Sequence, residues 1–241
     1  MFDWPARLLL SPLLIAQALK VRRTAQLLPE ATGPRSGTIG SGPALSLRIV
    51  GDSSGAGVGV VHQSDALAGQ LAALLGLNFT LQWDLDAATG ATTRSTLTRL
   101  EQATPQPTDI LITALGVNDV TRLIPAATWQ HQQSALLDRL RALYQPRMIY
   151  MSGIPPIGDF PLLPNPLRWT LGRQARAYDT VQRNLAANPA DVTLAPFDQP
   201  LEPALMARDG FHPSAAVYAL WAKEMASRIR SDWPILKQSQ P

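Results

Sequence analysis

Four short blocks of this chain hold residue types that together can transfer an acyl group to water. Residues 51–55 read Gly-Asp-Ser-Ser-Gly, residues 116–119 read Gly-Val-Asn-Asp, residues 209–212 read Asp-Gly-Phe-His, and Gly90 stands in Ala-Thr-Gly-Ala-Thr. The chemistry needs a nucleophile, a base to take its proton, a carboxylate to orient that base, and donors for the tetrahedral oxyanion. Ser53, His212 and Asp209 can fill the first three roles. The backbone N–H groups of Ser53 and Gly90 and the side-chain amide of Asn118 can fill the fourth. Asp52, Gly116 and Asp119 are read as supports of the same site, with Asp119 tying down the loop that aims the amide. The serine pentapeptide alone says little, because Gly, Ser and Asp also make ordinary turns.

Such residues act only if the fold brings them to one place. Apolar or β-rich runs stand at Leu45 to Val50, Phe79 to Leu85, Asp109 to Leu115, Met148 to Ser152 and Val192 to Pro196. Helical patterns lie at Ser64 to Leu75, Thr92 to Ala103, Thr128 to Tyr144 and Leu167 to Ala187, with a last one from Pro213 to Ile229. Strands alternating with helices over short connections predict a parallel sheet covered on both faces. In such a sheet ligands bind beyond the carboxyl ends of the strands. Ser53 follows the first run, Gly90 the second and Asn118 the third, while Asp209 and His212 precede the final helix. All four blocks converge on one rim.

The set resembles the SGNH, or GDSL-type, ester hydrolase family. Ser53 matches the family's nucleophile in its GDS block and Gly90 its second-block glycine. Asn118 matches the asparagine of the G-x-N-D block, and Asp209 and His212 match the D-x-x-H block. The likeness runs from about Leu47 to Ala226. It implies an α/β fold, a three-layer αβα sandwich with a five-stranded parallel sheet of flavodoxin-like type, and ester hydrolysis with no cofactor and no metal.

Other readings of the same letters fail on specific residues. The α/β-hydrolases also use Gly-x-Ser-x-Gly, but their serine follows a later strand and an upstream oxyanion loop. Chymotrypsin-like proteases place the catalytic histidine before the serine, and His62, His131 and His212 all follow Ser53. The run from Gly55 to Val60 imitates a dinucleotide fingerprint, yet valine stands where its third glycine belongs. Asp84 and Asp86 alternate on one strand and suggest the paired carboxylates of a glycosidase; a strand end leading into a turn is the simpler reading. His131 sits among glutamines on a polar helical face, and His62 has no carboxylate at readable spacing. With no cysteine and no clustered ligands, a metal site is not expected.

Composition narrows the classes further. A chain of 241 residues, 46% of them hydrophobic, can bury one sizeable core without disulfide or metal. The net charge of +3 is spread over scattered arginines, not gathered in a stripe among aromatics, so nucleic acid is not an expected partner.

The chain divides in this reading into an N-terminal amphipathic helix with a Gly/Pro-rich linker, 1–43, and the hydrolase domain, 44–241. Leu8 to Leu19 is apolar, but Lys20, Arg22 and Arg23 follow it without a cleavage-like pattern, so a cytoplasmic or peripherally membrane-associated location is expected over secretion. Ser11-Pro12 reads as a helix start. Leu13, Leu14, Ala18, Val21, Ala25 and Leu28 then form a stripe that packs on the domain or, as the alternative, rests on a membrane surface through residues 11–28. Pro29 to Pro43 reads as linker.

The substrate class is read from two apolar loops, Ile154 to Trp169 and Pro196 to Met206. They favour a small lipophilic acyl or aryl ester over a sugar. Acyl transfer to an alcohol, lysophospholipase or thioesterase activity at the same site, carbohydrate acetyl esterase activity and a non-catalytic binding domain are the alternatives.

Overall fold

The computed structural model describes residues 4–24, 26–160, 162–197, 202 and 205–238. Six strands form one sheet: β1 (Ser36–Ile39), β2 (Ala44–Gly51), β3 (Thr80–Ala87), β4 (Ile110–Ala114), β5 (Met148–Ser152) and β6 (Val192–Ala195), in the order β1-β3-β2-β4-β5-β6. The five expected strands are all present, within a residue or two of their apolar runs, and all pair in parallel. Their order is that of the flavodoxin-like doubly wound sheet, in which the chain reverses direction beside the first parallel strand.

The sixth strand corrects the linker reading of Pro29 to Pro43. Ser36–Ile39 pairs antiparallel with β3, with Ser36 opposite Asp84 and Ile39 opposite Leu81. All four of its residues are exposed. No apolar periodicity marks such a strand; it exists because the edge of β3 offers backbone partners.

Alternation along the strands sends successive side chains to opposite faces. On one face Leu45, Leu47, Ile49, Ile110, Ile112 and Tyr150 pack with α2 (Leu67–Gly76) and α7 (Ala215–Gln238). On the other, Val50, Leu111, Ile149 and Met151 meet α3 (Thr93–Leu100) and α5 (Ala126–Tyr144). A third cluster joins α6 (Leu167–Ala186) to the loop after β5 and to α1 (Trp4–Thr24). Helix α7 runs past the expected Ile229 and through Pro234, with Trp233 against Phe79 and Arg147 donating to the Leu236 carbonyl (3.0 Å).

The N-terminal helix differs from expectation in two respects. It begins by Trp4, so Ser11 is no N-cap and Pro12 lies inside the helix. A proline there forfeits one backbone hydrogen bond; Leu10 before it and Leu14 after it both pack on the third cluster and hold the two sides together. The packed face is Leu10, Leu14, Gln17 and Val21, whereas Leu13 and Ala18 of the expected stripe are exposed. Ala25 of that stripe lies outside the described residues, as does most of the stretch from 198 to 204 in the second apolar loop.

Candidate active site

The turn after β2 presents Ser53. Asp52 N–H donates to the Ala114 carbonyl (2.9 Å), Ala56 N–H to Asp52 O (2.9 Å) and Val58 N–H to Ser53 O (2.9 Å), so the chain coils back immediately beyond the strand. Tyr218 of α7 fastens this coil from below, its buried hydroxyl donating to the carbonyls of Val58 (2.8 Å) and Ser54 (3.0 Å). Nothing in the pattern of α7 distinguishes that tyrosine from an ordinary core residue.

Asp209 and His212 arrive from the turn before α7. The three-residue spacing lets one carboxylate serve two purposes. Oδ1 accepts from the backbone N–H groups of Phe211 and His212 (both 3.0 Å), while Oδ2 accepts from His212 Nδ1 (2.5 Å). With Nδ1 carrying the proton, Nε2 is left as an acceptor, and Ser53 Oγ lies 2.9 Å from it. Serine, imidazole and carboxylate therefore form one connected line. Burial alone pushes the Asp209 carboxyl up, but the bonds from the His212 ring and the two N–H groups outweigh it and hold the carboxyl below its ordinary range. It stays charged where it must orient the ring.

Asn118 stands in the first turn of α4 (Val117–Thr121). Gly116, just before that helix, has φ +127°, and a Cβ there would strike the Ile154 side chain at 2.8 Å, so the block requires glycine at this place. The Asn118 amide donates to the Ala91 carbonyl (3.0 Å) and, at a longer 3.4 Å, to Asp52 Oδ2. Asp52 also accepts from Ser54 N–H (2.9 Å) and Ser54 Oγ (2.8 Å). It is buried and has no ion pair with an arginine or lysine among the described residues; burial pushes its carboxyl up to about 6, against those bonds. Asp119 is buried too. Its carboxylate accepts from Thr93 N–H and Oγ1 (both 3.1 Å), and Thr93 Oγ1 in turn receives Trp129 Nε1 (3.0 Å) and Gln133 Nε2 (2.9 Å). Asp119 thus bolts α4 to the start of α3.

Gly90 lies on the turn between β3 and α3 with φ +77°. Three contacts hold that turn. Thr92 and Ser95 form a reciprocal cap at the start of α3, and Arg122 donates to the Gly90 carbonyl (3.3 Å). The third comes from the stretch read as linker: Glu30 Oε1 accepts from Thr89 N–H (2.7 Å) and Thr89 Oγ1 (2.8 Å), while Glu30 Oε2 pairs with Arg35 (2.9 Å), which also donates to the Ala87 carbonyl. Among the described residues, the N–H groups of Ser53 and Gly90 have no hydrogen-bond partner. Both remain available to an incoming oxygen.

The remaining readings fall as follows. His62 is exposed with Nδ1 near Thr32 Oγ1 (3.1 Å), and His131 is exposed on α5. Asp84 and Asp86 pair with Arg48 and Arg99. No group of histidine, aspartate or glutamate suited to a metal ion occurs among the described residues. Ile157, Phe160 and Leu163 of the loop after β5 are buried in the third cluster; Ile154 sits against Gly116, and Leu162 lies against Gly210 between Asp209 and His212.

A family profile described as GDSL-like lipase/acylhydrolase matches residues 49–220, a span that contains every block of the site. The chain belongs to the GDSL-like lipase/acylhydrolase family. It is, with that family, a carboxylic ester hydrolase. Among solved structures, the psychrotrophic esterase EstA from Pseudoalteromonas sp. is similar with a TM-score of 0.59 at 21% identity, over 77% of this chain and 97% of its own. The lipase Lip_vut3 from a goat rumen metagenome gives 0.61 at 16% identity, over 76% and 96%. Axe2, an acetylxylan esterase from Geobacillus stearothermophilus, gives 0.55 at 18% identity, over 78% and 95%. At these identities the likeness establishes the fold. No curated protein sequence matches the chain. Glu30 and Arg35, which hold the Gly90 turn of this GDSL-like hydrolase, lie before the span that the profile matches.

Proposed function

We propose that the enzyme hydrolyses small lipophilic acyl or aryl esters through an acyl-serine intermediate on Ser53. The observation that carries this is the line from Ser53 Oγ to His212 Nε2 (2.9 Å) and from His212 Nδ1 to Asp209 (2.5 Å). His212 Nε2 takes the Ser53 proton as Oγ adds to the ester carbonyl, then gives it to the departing alcohol oxygen as the C–O bond breaks. Water repeats the sequence: its proton goes to His212, its oxygen to the acyl carbon, and Ser53 leaves with the proton restored. Asp209 keeps Nδ1 protonated and stabilises the imidazolium formed in each half.

The oxyanion is assigned to the N–H groups of Ser53 and Gly90 and to the Asn118 amide. That amide can redirect the hydrogen now spent on the long 3.4 Å contact with Asp52, while its bond to the Ala91 carbonyl keeps its plane fixed. Ile154, beside Gly116, and Leu162, beside Gly210, support the choice of a lipophilic substrate. They are apolar side chains on the two sides of the rim, one near the amide and one near the acid and base.

A series of p-nitrophenyl esters of rising acyl length, run beside acetylated sugars and a lysophospholipid, tests this. Short and medium acyl esters are expected to give the highest kcat/KM. Preference for acetylated sugar would overturn the substrate class, and product analysis with added alcohol separates hydrolysis from transfer.

A further inference from the structure

Among the described residues, helix α1 is covered along only one face. Leu14 belongs to the third cluster and Leu10 and Val21 pack against it, and Gln17 pins the helix to the start of α6, donating to the Asn165 carbonyl (2.7 Å) and accepting from Leu167 N–H (3.0 Å). The rest is apolar and bare: Leu9 is 83% exposed, Ile15 59%, and Leu13 and Leu19 48% each. Leu9 and Leu13 recur at i, i+4 on one flank, Ile15 and Leu19 at i, i+4 on another, and the two flanks lie well round the helix from one another. No charged residue occurs from Leu8 to Leu19; then Lys20, Arg22 and Arg23 crowd into one turn. None of these three cations is in an ion pair among the described residues.

A helix apolar all round is one that expects an apolar medium on every side. A second helix would cover a single seam flanked by charges, whereas these leucines spread over two flanks with no charged residue between Leu8 and Leu19. No helix among the described residues is long and apolar enough to cross a membrane.

We propose that α1 docks the enzyme on the surface of an anionic lipid bilayer, lying in the boundary between headgroups and acyl chains. Leu9, Leu13, Ile15 and Leu19 enter the apolar layer, and Lys20, Arg22 and Arg23 meet lipid phosphates. Phe211, between Asp209 and His212, packs against the same cluster as the covered face of α1. The proposal does not depend on which ester is cleaved.

Co-sedimentation of the full chain with phosphatidylglycerol-rich vesicles and with pure phosphatidylcholine vesicles tests it. Strong binding to the anionic vesicles is expected, weakened by salt. Two variants, Leu13→Glu with Leu19→Glu, and Lys20→Glu with Arg22→Glu and Arg23→Glu, should each lower partition by about tenfold or more while cleaving a water-soluble ester at the wild-type rate. Three results overturn it: wild type left in the supernatant, a leucine variant that binds as wild type does, or a solution dimer that the leucine variant dissolves. Failure to cleave the soluble ester would instead strike the functional reading and leave the partition result standing.

Discussion

At the amino ends of the strands, Asp109 accepts from Ser46 N–H (2.9 Å), Ser46 Oγ (2.7 Å) and Arg147 Nε (2.8 Å), and its own N–H donates to Ser46 Oγ (2.8 Å). Strands β2, β4 and β5 are thereby tied together, with both oxygens of the Asp109 carboxylate partnered. At the carboxyl ends the pattern is reversed. Among the described residues, the N–H groups of Ser53 and Gly90 are unpartnered, the Asn118 amide makes one long bond, and the Asp52 carboxylate is buried without an ion-pair partner. Hydrogen-bonding capacity left open at one end is what a developing oxyanion needs; capacity fully used at the other end can only stabilise. The contrast predicts that substitutions at the two ends separate activity from stability.

The largest effect is expected at the nucleophile. Ser53→Ala should lower kcat/KM by about 10⁶-fold in ester hydrolysis, with Tm unchanged within a few degrees; appreciable residual turnover would break the assignment. Asn118→Ala comes next, lowering kcat by about 10²–10³ with KM little altered, which steady-state kinetics on a p-nitrophenyl ester would show. Glu30→Ala loosens the turn that carries Gly90. It should lower kcat by about tenfold, in keeping with a donor displaced but not removed, and Glu30→Gln, which retains an acceptor for Thr89, should recover part of the loss.

Asp52 gives a prediction whose sign depends on pH. Its folded pKa of about 6 lies above the ordinary 3.8, so the fold favours the protonated form. That advantage is complete below pH 3.8 and is lost as pH rises through about 6, leaving a charged, buried carboxylate that costs about 3 kcal/mol. Asp52→Asn should therefore gain more Tm, relative to wild type, at pH 8 than at pH 4.5. Equal Tm differences at the two pH values would remove the buried-charge argument. At the opposite end, Asp109→Ala should cost about 2 kcal/mol and lower Tm by about 6 °C without changing kcat. A loss of activity there in the folded protein would erase the contrast.

Much of this arrangement was legible in the sequence, and the parts that were not share a physical reason. Strands β4 and β5 announce themselves by continuous apolar runs, because both faces are buried, and β2 and β3 by alternation of apolar and polar residues; Asp209, His212 and Asn118 announce themselves by spacings short enough to be fixed by one turn. Strand β1 could not be read, since its four residues are exposed and owe their conformation to β3. The clamp of Glu30 on Thr89 joins residues 59 apart, and Tyr218 reaches a turn 160 residues away. Contacts of that range leave no local periodicity. Pro12 misled for a related reason: its local preference for a helix start is outweighed by packing on both sides of it.

The central claim is that Ser53 is activated by His212 and takes up the acyl group. Brief reaction with an ethylphosphonate ester, followed by mass spectrometry of the peptides, tests it directly. The account predicts one covalent adduct on the wild-type enzyme, located at Ser53, formed orders of magnitude more slowly in His212→Ala and absent in Ser53→Ala. An adduct on another residue, or labelling of Ser53 at the same rate without His212, would contradict it.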